Sequence, residues 1–466
     1  MKGFITLLLL GAGMTLITAS AFASNVAVVD SGTFFEHKLL QGRQWTNVGE
    51  VAGNLVDDDH NGKVDDTVGW NFAENYNRVF YPEHLSRINP VVFKFMTLIS
   101  RIQDGSATAE EKQFWEKDIK ALPKEKKAAL AAHLNYYGQF SHSTHVSGIV
   151  AIGNPLAKIQ SDRVFPDSRP SEYESDPEVN KRLENLAVAD YGAKTWNILY
   201  LFMGNVGNML FSNVADYIHE TQMDVANYSL GTPMSMIAKL WLKVRMVKNP
   251  TPEQLSTEAI KAFSAYIKPG KQWLAKAPNT LFVIAAGNDA TDNDKLPEFP
   301  ASLDADNAIS VAATQGYSKL ASFSNIGAKS VHVAAPGVSI MSTVPSKEGD
   351  LLLPMSGTSM AAPFVTMMAS RVKDINPTLA PSQVKEILMG TVDYKDWLKG
   401  KVASGGVVNP DRAYQSAMLS KTASVKDAIA QARKEVADVP AVEPTKLMSV
   451  EETDPELQAI ADSMVF

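Results

Sequence analysis

The sequence predicts an α/β fold in which a parallel β-sheet is flanked by helices and interrupted by two mainly helical insertions. Three short apolar runs carry that expectation: Asn25-Val26-Ala27-Val28-Val29-Asp30-Ser31-Gly32, Met223-Asp224-Val225-Ala226-Asn227-Tyr228-Ser229-Leu230-Gly231, and Leu281-Phe282-Val283-Ile284-Ala285-Ala286-Gly287-Asn288. Each is β-branched or small and apolar, and each ends in turn formers, as buried parallel strands do. Helical patterns separate them, which implies alternating βα units around one sheet.

The first run places Asp30 at the carboxyl end of its strand, where open α/β sheets carry functional groups. Two long stretches then break the rhythm, at about 74–138 and about 165–211. In the first, Asn89-Pro90 makes a helix start, and Val92, Phe95, Met96, Ile99 and Ile102 recur at helical spacing. Thr108 with Glu111 forms a capping box for a further helix. These are expected to be helices packed on the domain surface. The second insertion contains Trp196-Asn197-Ile198-Leu199-Tyr200-Leu201-Phe202-Met203, read as core because an apolar run this short is far below a membrane span. After Ala413 the chain becomes rich in Ala, Lys and Glu, with Pro440, Pro444 and an acidic finish at Glu451-Glu452. Residues 416–466 are therefore expected to be a tail outside the main domain of 24–415, with a short helix near Val425 to Val436.

Composition narrows the function. The chain has 466 residues, 45% hydrophobic and 20% charged, and a net charge of −7. It carries no basic footprint for nucleic acid. With no cysteine, it has no disulfide framework, thiolate metal site, cysteine nucleophile or acylated cysteine. Residues 1–23 read as a signal peptide: Lys2, an apolar or small-residue run from Phe4 to Ile17, and the small-x-small site Ala21-Phe22-Ala23. The run is shorter than the roughly 20 residues of a membrane span. A secreted or periplasmic protein without stable membrane insertion is expected.

Three segments carry candidate chemistry. Gly357-Thr358-Ser359-Met360-Ala361-Ala362-Pro363 turns directly into a small-residue helix, exposing Ser359 at a helix N-terminus where developing negative charge is favoured. Serine needs a base and a group to orient that base. Two of the eight histidines, His142 and His145, lie three residues apart in Ser141-His142-Ser143-Thr144-His145 at the opening of another small-residue helix. Asp30 supplies a carboxylate to hold an imidazole tautomer. Spacing does not choose between the two histidines, and a zinc pair is a rival, although no third ligand stands beside them.

Asp30-Ser31-Gly32, His142-Ser143-Thr144-His145 and Gly357-Thr358-Ser359-Met360-Ala361 occur in that order, and the sequence thereby resembles the subtilisin-like serine proteases. The likeness covers about residues 25–415 apart from the insertions. It extends to Phe299-Pro300-Ala301-Ser302, Leu320-Ala321-Ser322-Phe323-Ser324-Asn325, Val333-Ala334-Ala335-Pro336-Gly337 and Gly405-Gly406-Val407-Val408-Asn409. The resemblance implies a subtilisin-like domain, an endopeptidase acting on protein or peptide substrates, and a triad of Asp30, His142 and Ser359. It makes His142 the catalytic histidine and His145 structural. It further implies Asn288 as oxyanion donor, and Ser229, Leu230 and Gly231 as the segment that pairs with an extended substrate. A groove that pairs with substrate backbone implies broad specificity, with Asp289 beside Asn288 modestly favouring basic side chains nearby.

Asp57-Asp58-Asp59-His60-Asn61-Gly62-Lys63-Val64-Asp65-Asp66 places oxygen ligands at alternate positions with glycine sixth, the spacing that wraps a hard cation. The expected cofactor is structural calcium, held by Asp57, Asp59, Asn61 and Asp65 with the Lys63 carbonyl. Val68 stands where a full helix-flanked loop carries glutamate. Three further departures concern the family pattern. Ser143 replaces a glycine, so that it either crowds the site or adds a hydroxyl near it. The expected signal peptide runs almost straight into the first strand, so that folding is expected either to proceed without the family's propeptide or to use the insertion before His142 or the tail after Ala413 in its place. No N-terminal arm for a calcium site is expected before Asn25. The alternative is a catalytically silent subtilisin-fold binding or scaffold protein, and a third reading is an esterase or peptide ligase using the same acyl-enzyme chemistry.

Overall fold

Residues 23–166 and 196–441 are described by the structure, a computed structural model. The segment up to residue 22, where a signal peptide is expected, residues 167–195 of the second insertion and the tail beyond 441 lie outside them.

The strands that position the site are β1 (Asn25–Asp30), β2 (Lys158–Arg163), β3 (Val225–Tyr228), β4 (Leu281–Ala285), β5 (Ala308–Gln315) and β6 (Val333–Pro336), with the short β7 (Asp393–Tyr394) and β8 (Gly406–Val407) at one edge. Their order across the sheet is β7-β8-β6-β5-β4-β3-β1-β2. Pairing is parallel from β2 through to β8, and β7 is antiparallel. The chain leaves β1 toward β2 in one direction and returns to β3 on the other side, so β1 and β3 bracket a topological switch point.

Strand alternation builds a core on each face. Val26, Val28, Val225, Leu281 and Val283 contribute to one, while Ala27, Val29, Ala226, Tyr228 and Phe282 contribute to the other. All these residues are buried on both faces, as a sheet covered by helices on either side requires. The first face is covered by the second half of α3 (Lys124–Gly153) and by α7 (Thr358–Ile375), the second by α4 (Trp196–Glu220), α5 (Met234–Val244) and α6 (Pro252–Leu274).

The first insertion is helical. α1 (Val91–Asp104) begins just after Asn89-Pro90, and α2 (Ala109–Phe114) opens with the Thr108–Glu111 capping box. Val91, Phe95, Leu98, Phe114 and Leu130 form a satellite core, and the Ser100 hydroxyl donates to Ser339 Oγ at 2.7 Å, joining the insertion to the domain. One expectation is corrected here. The helix bearing His142 does not open at that residue, because α3 begins at Lys124, some five turns earlier on the general scale of 3.6 residues per turn. Residues 124–134 are strong helix formers, mostly Lys, Glu, Ala and Leu, with Pro123 as the N-cap, so nothing stops the helix before the small-residue segment.

Residues 416–441 are not separate from the domain. α8 (Pro410–Leu419) runs across position 415, and α9 (Val425–Glu435), capped by Ser424, buries Ala428 and Ala432 and lays Val425 and Ile429 on the main core. Arg412, 3% exposed, fastens this segment. Its guanidinium donates to Asp393 Oδ1 at 3.0 Å, Asp438 Oδ1 at 2.8 Å and the carbonyls of Thr391, Val392 and Val436. Removing one member of a buried ion pair strands its partner. Arg412→Ala is expected to lose about 3–5 kcal/mol, read from the urea midpoint; an unchanged midpoint would contradict the role given to Arg412.

Candidate active site

The carboxyl ends of β1, β3 and β4 and the N-terminus of α7 converge. Asp30 ends β1 and is completely buried. Its Oδ1 accepts from Ser31 N at 2.7 Å, and its two oxygens lie 2.9 and 2.8 Å from His142 Nδ1. Gly32 follows at φ +97°, where a Cβ would sit 1.8 Å from the Val79 carbonyl oxygen, so the sharp exit from β1 requires glycine.

A carboxylate only accepts, so the neutral His142 ring donates Nδ1–H to Asp30 and keeps Nε2 as the acceptor on its exposed edge. Burial disfavours the imidazolium, but the Asp30 charge and hydrogen bond outweigh it, holding His142 above the usual value of 6.5. His145, one turn on, is fully buried and pairs its Nε2 with the Leu353 carbonyl at 3.0 Å. Burial pushes its pKa down to about 3. The two imidazoles thus serve different partners and do not form a ligand pair.

Ser143 is completely buried. Its hydroxyl lies 3.0 Å from Thr33 Oγ1, which also meets Ser147 Oγ at 2.8 Å, and its N–H donates to Ser31 Oγ at 3.3 Å. It braces the turn after β1 and does not crowd the cleft.

Ser359 occupies the second position of α7, with Gly357 as N-cap. It exchanges two hydrogen bonds with the end of β3: Ser229 Oγ donates to the Ser359 carbonyl at 2.8 Å, and Ser359 Oγ donates to the Ser229 carbonyl at 3.4 Å. Asn288 lies three residues beyond β4. Its Oδ1 accepts from Thr358 N at 2.8 Å and from the Thr358 hydroxyl at 3.0 Å. That fixes the amide and leaves Nδ2 as a donor without a protein acceptor among the described residues. A Cβ on Gly357 would lie 3.5 Å from Ser359 N and 3.6 Å from Asn288 Nδ2, so the glycine keeps open the space between these two donors. Gly287, at φ +107°, makes the turn into Asn288.

Asn325 clamps that loop, its Oδ1 accepting from Asp289 N at 2.9 Å and Thr291 N at 3.1 Å while its Nδ2 donates to the Ala286 carbonyl at 3.1 Å. The Ser324-Asn325 motif is visible in the sequence, but no spacing rule reveals this positioning role. A cavity of about 320 Å³ opens beside Ser359, lined among others by Ser229, Gly231, Gly287, Asn288 and Glu298. Leu230 is half-buried and Gly231 exposed along its edge. Glu298 was not singled out from sequence. It is 4% exposed, and burial together with the nearby Asp289 pushes its carboxyl up to about 8.

The acidic loop is arranged differently from its spacing. Asp57 accepts from the N–H groups of Asn61 and Gly62, and Asp65 from those of Gly53 and Leu55, so both carboxylates are turned to backbone. Oxygens of Glu50, Asp59 and Asp66 lie within 4.8 Å of one another. The Asn47 amide bridges Asp59 and Asp66 at 2.8 Å each, and Asn61 donates to the same two carboxylates at 3.1 and 2.9 Å. Asp59 and Asn61 thus lie at this cluster, the carboxylates of Asp57 and Asp65 do not, and Glu50 sits outside the ten-residue acidic repeat. Its hard-oxygen donor set is chemically suited to calcium.

A sequence model of the subtilase family matches residues 23–417, and the chain belongs to that family. An extracellular basic protease of Dichelobacter nodosus is 32% identical over 180 residues, covering 36% of this chain and 29% of that protein. The subtilisin-like protease 1 of Plasmodium berghei is 24% identical over 430 residues, covering 88% of this chain and 52% of that one. The chain thus spans about half the length of these relatives or less. A solved cold adapted subtilisin-like serine proteinase aligns with a TM-score of 0.40 and 18% identity over 84% of this chain and 89% of that structure. No helix among the described residues is long and apolar enough to cross a membrane.

Ser143 offers a test of the bracing network. Ser143→Gly removes a buried hydrogen bond and places glycine inside a helix, an expected loss of about 2 kcal/mol in chemical denaturation. Turnover should stay near wild type at temperatures where the variant is folded; a large loss of turnover with unchanged stability would place Ser143 in the chemistry instead.

Proposed function

We propose that this chain is a secreted serine endopeptidase that hydrolyses peptide bonds through an acyl-enzyme. The observation that carries the proposal is the buried Asp30 gripping His142 Nδ1 at the end of β1, with Ser359 tied to Ser229 just past β3, the strand paired with β1. In this scheme Ser359 Oγ attacks the peptide carbonyl while His142 Nε2 takes its proton and then returns it to the leaving amine. Asp30 orients the ring and stabilises the imidazolium. Asn288 Nδ2 and the Ser359 N–H receive the oxyanion; loss of the one side-chain donor costs about a hundred- to thousand-fold in turnover in a subtilisin. Ser229, Leu230 and Gly231 supply an edge against which an extended substrate adds as a strand.

No hydrogen bond joins His142 to Ser359 among the described residues, and Ser359 Oγ rests on the Ser229 carbonyl. This contact is what a silent scaffold would keep; in an enzyme, attack requires the hydroxyl to swing to His142 as substrate binds, since catalytic hydrogen bonds often tighten only in the complex. Secretion is supported by the apolar run of the first residues and by the extracellular relative. Calcium would be held by Glu50, Asp59 and Asp66 and would stabilise the loop by relieving the repulsion among them.

Ser359→Ala is expected to abolish both peptide hydrolysis and labelling by a fluorophosphonate while the melting temperature stays within a few degrees of wild type. Labelling that persists in this variant would sink the assignment, and wild type that neither labels nor cleaves would favour the scaffold. Chelation is expected to lower the melting temperature and Asp66→Asn to abolish that response. A melting temperature indifferent to both chelator and added calcium would exclude a structural ion.

A further inference from the structure

Glu298 is an acid in an unusual position. It lines the cavity beside Ser359, and among the described residues only burial and the Asp289 charge act on its carboxylate, with no cation or hydrogen-bond donor to offset them. An uncompensated buried charge is costly. The side chain is packed against two glycines: a Cβ on Gly231 would fall 2.5 Å from its Oε1, and one on Gly287 3.3 Å from its Cδ. A side chain at Gly231 would displace the carboxylate, and one at Gly287 would crowd it. Asp289 lines the same cavity, so the only two ionisable side chains among its described lining are acids.

We propose that Glu298 is the specificity-determining residue of this cleft, and that the cavity receives the cationic side chain, lysine or arginine, of the substrate residue immediately before the scissile bond. This rests on Ser359 being the nucleophile, since the cavity is then where the residue bearing the attacked carbonyl places its side chain. The glycine walls admit a long unbranched chain between the substrate-pairing segment and the Asn288 loop. The cationic end meets Glu298, which ionises on contact because the arriving charge removes the reason for it to hold a proton. Asp289, exposed at the same cavity, adds to the negative field. An apolar side chain would instead bury the lone carboxylate against hydrocarbon.

The test uses the full chain and a peptide series that differs only at the residue before the cleaved bond: lysine, arginine, norleucine, phenylalanine and glutamate. Norleucine has the lysine chain without its amine. Wild type should favour lysine or arginine over norleucine by about a hundredfold in kcat/KM, and Glu298→Gln should collapse that ratio toward one, as expected when one member of a buried charge pair is removed. Wild type that prefers norleucine or phenylalanine overturns the inference, whether or not the variant folds, and leaves the protease assignment intact. Calorimetric titration with benzamidine, a small cation, reads the pocket without catalysis. Binding that is lost in Glu298→Gln upholds the cationic pocket even if no peptide is cleaved, in which case the protease assignment alone fails. Absence of both benzamidine binding and lysine preference overturns the inference.

Discussion

The cleft depends on a charge kept out of water. Asp30 is fully enclosed at the end of β1, and a bare carboxylate there would be prohibitively unfavourable without donors. Ser31 N and His142 Nδ1 meet that need, so the same contacts that make the fold tolerable also orient the imidazole. β1 is an interior strand, with β2 and β3 flanking it in register, Asp30 opposite Arg163 and Val29 opposite Tyr228. That register brings Ser229, one residue past β3, to the switch point where Ser359 arrives from the other side.

Ser359 and Ser229 then lock two elements together. The reciprocal hydrogen bonds between them join the first turn of α7 to the end of β3, and Thr358 joins the same turn to Asn288 and Gly287. The groups that would surround a reacting carbonyl are therefore positioned by backbone and short side chains with few rotatable bonds. Such sites lose little conformational entropy on ordering. The long α3 contributes rigidity of another kind: one continuous helix carries both the satellite core of the first insertion and His142. Displacing the insertion would bear on the ring that Asp30 holds.

Much of this was legible in the sequence because it is local. The strand ends at Asp30, Ala285 and Tyr228, the helix start after Pro90, the Thr108 cap and the helix near Val425 follow from periodicity, turn residues and capping chemistry within a few positions. What was not legible depends on contacts between distant segments. His145 and His142 have the same local sequence setting, and only the approach of Leu353 to one and Asp30 to the other separates them. The acidic loop reads as a ligand repeat, yet Asp57 and Asp65 satisfy backbone N–H groups created by its folded turns, while Glu50 joins from outside the repeat, drawn in by the N–H groups of Asp58, Asp59 and Asp65. Continuation of α3 through the insertion boundary shows that helix propensity can run across a junction that motif boundaries suggest.

Glu298 shows the same limit most sharply. In sequence it is one acid before Phe299-Pro300, indistinguishable from a solvated surface residue. It becomes buried because Glu298–Phe299 pairs with Thr232–Pro233, a contact that draws the end of one loop beneath the segment following β3. Gly231 and Gly287 then leave room for its carboxylate in the cavity wall. The stability of this arrangement in the empty protein follows from the proton that burial and Asp289 retain on the acid; a neutral carboxyl is far less costly to bury than its anion. The pocket can thus fold without a counterion and still present a charge when a cation arrives.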